Sequence, residues 1–219
     1  MIRRSGVAIG VLASTAAAVA VTAVGAPTPT AGQLLAKVMT CRPTSSARFA
    51  TDERHPRTIP VCRLAGALFW KADMDIDCDG QVTSHCNLNK DSSFQSGTAL
   101  SPGGRPLVAE RTPYLVIPQP STIFDYRRHG IQLGAVAAIV YKNKVAYAVF
   151  GDTGPKEILG EASYKVAELL GIDPDPSTGG TASGVTYIVF ENTKVANPGN
   201  PASIMKAGQA AVAKLLRKN

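Results

Sequence analysis

The chain has 219 residues, a net charge of +7 at pH 7 and 45% hydrophobic residues. This length is enough for one domain with a hydrophobic core. The positive charges are scattered, apart from Arg127-Arg128 and the C-terminal tail, and no nucleic-acid-binding motif accompanies them. We therefore expect a solvated basic surface and no nucleic-acid partner.

The first 26 residues have the features of a secretory signal peptide. Arg3 and Arg4 form a positive segment, residues 7–24 are almost wholly small or aliphatic, and Val24-Gly25-Ala26 is a small-residue cleavage site. A transmembrane anchor is the alternative, since the apolar run is about long enough to span a bilayer. The alanine-rich composition favours cleavage, which would leave 193 residues, lower the net charge from +7 to +5 and give a secreted, extracellular protein without a membrane segment.

Proline positions and composition divide the rest of the chain into three parts. Residues 27–58 are predicted to be an N-terminal extension, mostly loop, with a short helix over Gln33–Met39. Residues 59–196 form the main domain, and residues 197–219 contain an amphipathic C-terminal helix that packs on it. The apolar side of that helix consists of Ile204, Ala207, Ala211, Val212 and Leu215.

An apolar and aromatic strand over Ala65–Met74 runs into a row of acids. Because the row alternates with apolar residues, all its members project to one side if the segment is extended. The row consists of Asp73, Asp75, Asp77 and Asp79. Its last three members, followed by Gly80, match the opening of an EF-hand calcium loop, but the twelfth position counted from Asp75 falls on Cys86 instead of Glu, and no flanking helix pair is evident. Three interpretations stay open: a strip that binds ammonium groups, a metal site of another kind, or a solvated strand face.

The four cysteines of an exported chain predict two disulfides. Three pairings are possible, and we favour the local pairs Cys41–Cys62 and Cys78–Cys86 because each would staple an irregular segment. A zinc site built from Cys78, His85 and Cys86 is the alternative, but the spacing fits no common zinc motif. We expect no metal and no cofactor.

Two apolar runs, Val136–Tyr141 and Val145–Phe150, are separated by the polar loop Lys142–Lys144. This pattern predicts a β-hairpin, with Asn143 available for a left-handed turn position. Both faces of the second run are apolar, so we expect it to be buried on two sides, as in a small barrel or sandwich.

Two acids follow the hairpin on elements of different kinds. Gly151–Pro155 is predicted to end the second strand and to leave Asp152 on a turn, and Gly160–Ser163 is predicted to open a helix with Glu161 in its first turn. Gly171 ends that helix, whose apolar stripe consists of Ala162, Val166, Leu169 and Leu170. The two carboxylates would then be held on rigid elements that meet at one edge, as a hydrolytic acid/base pair usually is.

Several of these segments together resemble the chitosanases of glycoside hydrolase family 75. They occur in the right order over roughly residues 66–195, so the combination is more specific than any single motif. The segments are LFWKADMDIDCDG (Leu68–Gly80), TPYLVIP (Thr112–Pro118), VAYAVFGDTGP (Val145–Pro155), GEAS (Gly160–Ser163) and TYIVF (Thr186–Phe190). The loop Pro155–Glu157 differs in sequence from the Asn-Gly found in fungal members at this place. This difference affects the loop geometry and not the identity of the two acids, Asp152 and Glu161.

The resemblance implies an inverting endo-hydrolase of chitosan, with Asp152 as base and Glu161 as acid. It also implies a monomer whose substrate-binding residues are Asp73, Asp75, Asp77, Thr153 and Tyr114. Trp70 and Tyr114 are the candidate platforms for sugar stacking, with the core as their alternative place. Chitosan is a polycation, so the acids are expected where the sugar binds, because the basic surface repels it.

The fold is expected to be mainly β with few helices, barrel-like, and related by analogy to double-psi barrels. That analogy supplies two rival functions. One is a lytic-transglycosylase-like enzyme that acts on peptidoglycan, and the other is a non-catalytic, expansin-like module that binds cell-wall polysaccharide. Serine or cysteine hydrolysis has little support, because the three histidines lie outside any nucleophile motif.

Overall fold

The computed structural model describes residues 1–2 and 29–218, so nearly all of the predicted signal peptide lies outside the described residues. The elements are α1 (Ala31–Lys37), β1 (Cys62–Leu64), β2 (Ala67–Asp77), β3 (Tyr114–Pro118), β4 (Val136–Tyr141), β5 (Lys144–Gly154), β6 (Glu161–Ser163), α2 (Tyr164–Leu170), β7 (Thr181–Phe190) and α3 (Pro201–Leu216). No helix in this part of the chain combines the length and apolarity that a membrane span requires.

Six of the described strands close into a barrel in the order β2-β6-β3-β5-β4-β7, with β7 pairing back to β2. The pairs β2/β6 and β3/β5 are parallel, and the other pairs are antiparallel. The strand β1 pairs with the beginning of β2 outside this ring. Closure leaves the six strands without a free edge along most of their length. The prediction of a mainly β, barrel-like fold is confirmed.

The barrel wall is apolar on both faces, which explains the continuous apolar runs in the sequence. The interior holds large side chains such as Trp70, Tyr187 and Phe150, with the rings of Trp70 and Tyr187 stacked at 5.5 Å between centroids. The outer face is covered by α1 and α3, whose Leu34 and Ile204 are fully buried.

The C-terminal helix α3 packs on the barrel as predicted. Asn200 caps its N-terminus, because its Oδ1 accepts hydrogen bonds from the N–H groups of Ala202 and Ser203. Gly208 lies against the ring of Tyr147, where a Cβ atom would overlap it. The absence of a side chain at Gly208 therefore lets the helix approach the wall closely at this point.

The predicted hairpin is present as β4 and β5, but its turn and its end differ from the prediction. Lys144 already belongs to β5, and Lys142, with φ 53°, takes the left-handed position in place of Asn143. The prediction that Gly151–Pro155 ends the strand is wrong: β5 continues through Gly154 because β3 pairs with it up to Pro118.

The prediction that Glu161 lies in the first turn of a helix is also wrong. Glu161 begins β6, which pairs with β2, and the helix α2 begins only at Tyr164. Gly171, with φ 71°, ends the helix as predicted, whereas Leu169 is 46% exposed and lies outside the apolar stripe. Strand pairing with a distant segment overrides the local helical pattern here.

Both predicted disulfides are present. Cys41–Cys62 ties the N-terminal extension to β1, and Cys78–Cys86 closes the loop that follows β2. The extension is also part of the core, because Phe49 is 1% exposed and packs in the same cluster as the barrel interior.

Candidate active site

A β-bulge in β5 determines the direction of the Asp152 side chain. Ala148 and Phe150 point into the barrel, and strict alternation would send Asp152 after them. The pairing with β3, however, jumps from Leu115↔Phe150 to Val116↔Asp152. One extra residue of β5 is thus accommodated, and Asp152 turns to the outer face of the wall.

The extra residue is Gly151, and its lack of a side chain is required by packing. A Cβ atom at this position would lie 2.6 Å from Cβ of Tyr114 and 2.7 Å from Cδ1 of Leu107. Any larger residue would push β3 away from β5 and disturb the bulge that orients Asp152.

Glu161 lies on the same outer face, in a row with Asp152. Leu115 pairs with Ala162, so Val116 lies beside Glu161 on one side and beside Asp152 on the other. A Cβ atom at Gly154 would lie 2.6 Å from Oε2 of Glu161 and 2.9 Å from Cγ1 of Val116, so the Glu161 carboxylate extends over β3 toward β5. Two strand spacings separate the Cα atoms of the two acids by about 10 Å.

The acids of β2 share this face. Alternation sends Trp70, Ala72 and Met74 into the barrel, so the acids between and after them point outward, as the sequence predicted. Asp75 is paired directly with Glu161 across the parallel strands. The three acids differ in exposure: Asp73 is buried, Asp75 is exposed and Asp77 is partly exposed.

Asp73 lies beneath the surface and not in contact with solvent. It is 6% exposed, and its Oδ1 is buried without a hydrogen-bond partner, against Gly160. Burial, together with the nearby Asp75 and Glu161 carboxylates, raises the pKa of Asp73 to about 8. The group is therefore uncharged at neutral pH, unlike the ionised ligand that the sequence suggested.

Tyr114 supports the acids from below. It is fully buried, and its hydroxyl donates hydrogen bonds to the carbonyl oxygen of Asp79 at 2.9 Å and to Oδ1 of Asp77 at 3.1 Å. Trp70 is 1% exposed and fills the barrel. Neither ring is accessible to a sugar. Both residues therefore belong to the core, which was the alternative to sugar stacking.

Asp77, Asp79 and Asp152 come close together although β2 and β5 are not neighbours. One oxygen of each lies within 4.8 Å of the others, an arrangement that could hold a hard cation such as Ca²⁺. Each of these carboxylates already accepts a backbone N–H hydrogen bond, from Asp79, Gln95 and Ala99 respectively. The protein itself therefore orients the three groups.

The two central acids have different environments. Asp152 is 7% exposed, and burial raises its pKa, but its Oδ1 accepts hydrogen bonds from the N–H groups of Ala99 at 2.9 Å and Thr153 at 2.7 Å, which lower it. Burial, and then charge repulsion from Asp75, Asp79 and Asp152, together raise the pKa of Glu161 to about 7. No described residue donates a hydrogen bond to Glu161. The environment of Glu161 thus favours its protonated form, whereas the two N–H groups at Asp152 oppose the effect of burial and stabilise its ionised form.

Thr153 contributes its backbone and not its side chain to this face. It pairs with Ile117, whose side chain lies in the barrel interior, so the Thr153 side chain points away from that of Asp152. Its N–H group nevertheless fixes the Asp152 carboxylate.

Sequence reasoning missed the contribution of the N-terminal extension. Asp52 and His55 lie close enough to Asp75 to change its pKa, Asp52 raising it and His55 lowering it, after the larger effect of burial. Backbone hydrogen bonds hold this segment beside the site: the N–H of Ala50 donates to Glu157, and that of Leu159 donates to Ala50. The segment is a proline-punctuated polar stretch, which gives no signal of such a contact.

Comparison with known proteins identifies the family of the chain. A family model described as fungal chitosanase of glycosyl hydrolase group 75 matches residues 74–217. The chain is 35% identical over 138 residues to endo-chitosanase C of Aspergillus oryzae, covering 61% of this chain and 34% of that protein. It is 36% identical over 143 residues to an endo-chitosanase of the same species, covering 60% and 58%, and 33% identical over 150 residues to one of Aspergillus fumigatus, covering 62% and 63%. The chain thus spans about a third to three fifths of the length of these relatives. With two thirds of its residues in the family match, the chain belongs to the family of chitosanases of glycosyl hydrolase group 75.

Proposed function

We propose that this chain is a secreted, monomeric endo-chitosanase that hydrolyses β-1,4 linkages between glucosamine units with inversion. The observation that carries the proposal is the row formed by Glu161, Val116 and Asp152. It holds the buried Asp152 and the partly exposed Glu161 on one face of the barrel, with one strand between them. A Cα separation of about 10 Å is compatible with the ~6.5–9.5 Å between carboxyl groups that inverting enzymes need for a water molecule.

Each carboxyl group has a distinct task in this mechanism. Glu161 is protonated and donates its proton to the glycosidic oxygen as the bond to the anomeric carbon breaks. Asp152 is ionised and accepts a proton from a water molecule, whose oxygen attacks the anomeric carbon from the opposite face. The products are an inverted reducing end and a free hydroxyl. The proton on Asp152 then leaves to solvent, and Glu161 takes up another.

Substrate binding is assigned to Asp75, which is exposed, and to Asp77, which is partly exposed on the same face. Asp75 provides negative charge beside the pair, which suits the ammonium groups of chitosan in charge-assisted hydrogen bonds. Burial, and then the Asp79 and Asp152 carboxylates, raise the pKa of Asp77 well above its usual value, so Asp77 acts as a neutral hydrogen-bonding group. Asp73 and Tyr114 act beneath them, by filling space under Gly160 and by holding Asp77. The concentration of acids here opposes the positive net charge of the chain, +5 after removal of the predicted signal peptide, which repels a polycation.

Secretion is supported by the two disulfides, since disulfides persist mainly in oxidising compartments. The signal-like N-terminal segment supports the same proposal.

The test is reducing-end release from chitosan, fully N-acetylated chitin and peptidoglycan by the wild type and by Asp152→Asn, Glu161→Gln and the exposed control Glu168→Gln. We expect turnover of chitosan that falls at least about 10³-fold in the first two variants and is unchanged in the control. NMR of fresh products should show the inverted anomer. Activity on peptidoglycan alone, loss in only one of the two variants, or binding without turnover would overturn the proposal.

A further inference from the structure

A pocket of about 310 Å³ lies beyond the C-terminal end of β6, outside the row of catalytic acids. Its walls are formed by the aromatic residues Tyr164 and His85, by Lys90, and by the Asp-Pro repeat that contains Asp173 and Asp175. The volume is at the lower end of the ~300–1,000 Å³ range of small-molecule sites. The mechanism proposed above uses none of these side chains.

The aromatic wall is fixed in position. The rings of Tyr164 and His85 are stacked at 5.5 Å between centroids, with an angle of 24° between their planes. Oε1 of Glu110 accepts a hydrogen bond from the N–H of His85 at 2.8 Å and lies 3.3 Å from its Nδ1. A partly exposed Tyr164 ring held in this way offers the flat apolar surface that the C–H face of a sugar ring requires.

The acidic wall is also preorganised. Oδ1 of Asp173 accepts the N–H of Asp175 at 3.1 Å, and Oδ1 of Asp175 accepts the N–H groups of Ser177 at 2.8 Å and Thr178 at 3.0 Å. The Ser177 hydroxyl donates to the carbonyl oxygen of Lys90, which joins the two loops of the pocket. In both acids the second carboxylate oxygen accepts no N–H of the described backbone; the Thr178 side chain also hydrogen-bonds to Asp175.

We propose that this pocket is an additional subsite that binds one glucosamine unit of the polysaccharide chain. In it the sugar ring packs on Tyr164, the ammonium group lies between the carboxylates of Asp173 and Asp175, and Lys90 donates to hydroxyl oxygens. An N-acetylated unit lacks the positive charge and leaves these carboxylates unpaired. The inference rests on the proposed function for the identity of the polymer.

The distance from the catalytic row allows one chain to occupy both places. Tyr164 follows Glu161 by three residues, so their Cα atoms are at most about 11 Å apart. A polymer bound across Asp152 and Glu161 can therefore continue into the pocket, whereas a short oligosaccharide that fills only the catalytic row cannot.

The direct test is binding. Glucosamine hexamer is titrated into the isotope-labelled Glu161→Gln variant, and backbone amide shifts are followed by NMR. We expect saturable shifts at His85, Tyr164 and Asp175, and weaker shifts at the same residues with the N-acetylated hexamer. If the amide signals around Asp75 shift and those of His85, Tyr164 and Asp175 do not, the inference is overturned and the proposed function still holds.

The kinetic test uses the double variant Asp173→Asn/Asp175→Asn, in which each Asn retains the oxygen that the loop needs and loses the charge. Its matched control is Asp125→Asn/Glu191→Gln, which removes two charges from residues outside the pocket wall. We expect KM for polymeric chitosan to rise about five- to tenfold relative to the control, with kcat and the hydrolysis of the shortest cleaved oligosaccharide unchanged. An unchanged KM, or an equal loss on both substrates, contradicts the subsite. No hydrolysis of chitosan by the wild type would instead overturn the proposed function, with the NMR titration still deciding on the pocket.

A pair of substitutions at Tyr164 separates stacking from hydrogen bonding. Tyr164→Phe should retain hexamer binding at the pocket, because the ring remains. Tyr164→Leu should weaken it at least fivefold while the melting temperature stays close to that of Tyr164→Phe. Equal affinities of the two variants would rule out the aromatic contact.

Discussion

Asp75 and Glu161 are direct neighbours on the parallel strands β2 and β6, although 86 positions separate them in the chain. Their carboxylates share the outer face of the barrel, and Asp75 is the charge that raises the pKa of Glu161 most, after burial. The barrel thus concentrates acids that repel one another. Such crowding costs stability and is typical of functional sites.

The first prediction concerns the pH dependence of the proposed activity. Glu161 must be protonated to act as an acid, so kcat/KM should fall as pH rises through its pKa of about 7. Asp75→Asn removes a nearby negative charge and should shift this alkaline limb to lower pH by roughly 0.5 to 1. The measurement is a kcat/KM profile from pH 4 to 9, with Glu168→Gln as control. An alkaline limb at the same pH in Asp75→Asn and in the control would contradict the role assigned to Glu161.

The second prediction concerns stability and pH at Asp73. Its pKa is raised from 3.8 to about 8 in the folded protein, so between these values the native state holds a proton that the unfolded chain has lost. Stability therefore falls as pH rises through this window. Asp73→Asn should melt at least about 3 °C above the wild type at pH 8, and the difference should disappear at pH 4.

The measurement is thermal unfolding of both proteins at pH 4, 6 and 8, with the exposed substitution Glu53→Gln as control. A difference between Asp73→Asn and the wild type that is independent of pH would show that the carboxyl group is not held in its protonated form.

The third prediction concerns the bulge at Gly151. Gly151→Ala brings a methyl group into contact with Tyr114 and Leu107, which should lower the free energy of unfolding by about 1–3 kcal/mol and reduce kcat by misorienting Asp152. Gly97→Ala is the control, because a Cβ atom added at Gly97 would have no neighbouring atom within 4 Å. Denaturant unfolding and chitosan turnover provide the two readouts. Full activity in Gly151→Ala would mean that the bulge tolerates a side chain.

The fourth prediction distinguishes the two disulfides. Cys41–Cys62 joins residues with a sequence separation of 21, and Cys78–Cys86 joins residues with a separation of 8. Loss of Cys41–Cys62 should therefore lower the free energy of unfolding by roughly 1 kcal/mol more than loss of Cys78–Cys86. Loss of the second should reduce kcat/KM more, because it frees the loop next to Asp77 and Asp79. The measurement compares unfolding and turnover of Cys41→Ser/Cys62→Ser and Cys78→Ser/Cys86→Ser. If the loss of one disulfide had the larger effect on both unfolding and turnover, the proposed difference between the two disulfides would be refuted.

Local patterns in the sequence were enough to predict several structural features. The alternation of the row from Asp73 to Asp79, the apolar runs of the hairpin and the amphipathic pattern of α3 each reflect the periodicity of one segment. The cysteine pairs were local as well, and both formed. The motifs around Asp152 and Glu161 indicated the family, which the match over residues 74–217 bears out.

Only the tertiary structure determined the surroundings of these residues. Contacts between segments far apart in the chain put Glu161 in a strand and turn Asp152 outward at the bulge. Such contacts also bury Asp73 and Tyr114 and bring Asp52 close to Asp75. The sequence by itself indicated the family and the acids proposed to carry the chemistry, because residue type and local periodicity are properties of one segment. Closure of the barrel determined their orientation and their protonation, because strand pairing and exclusion of water arise only when distant segments meet.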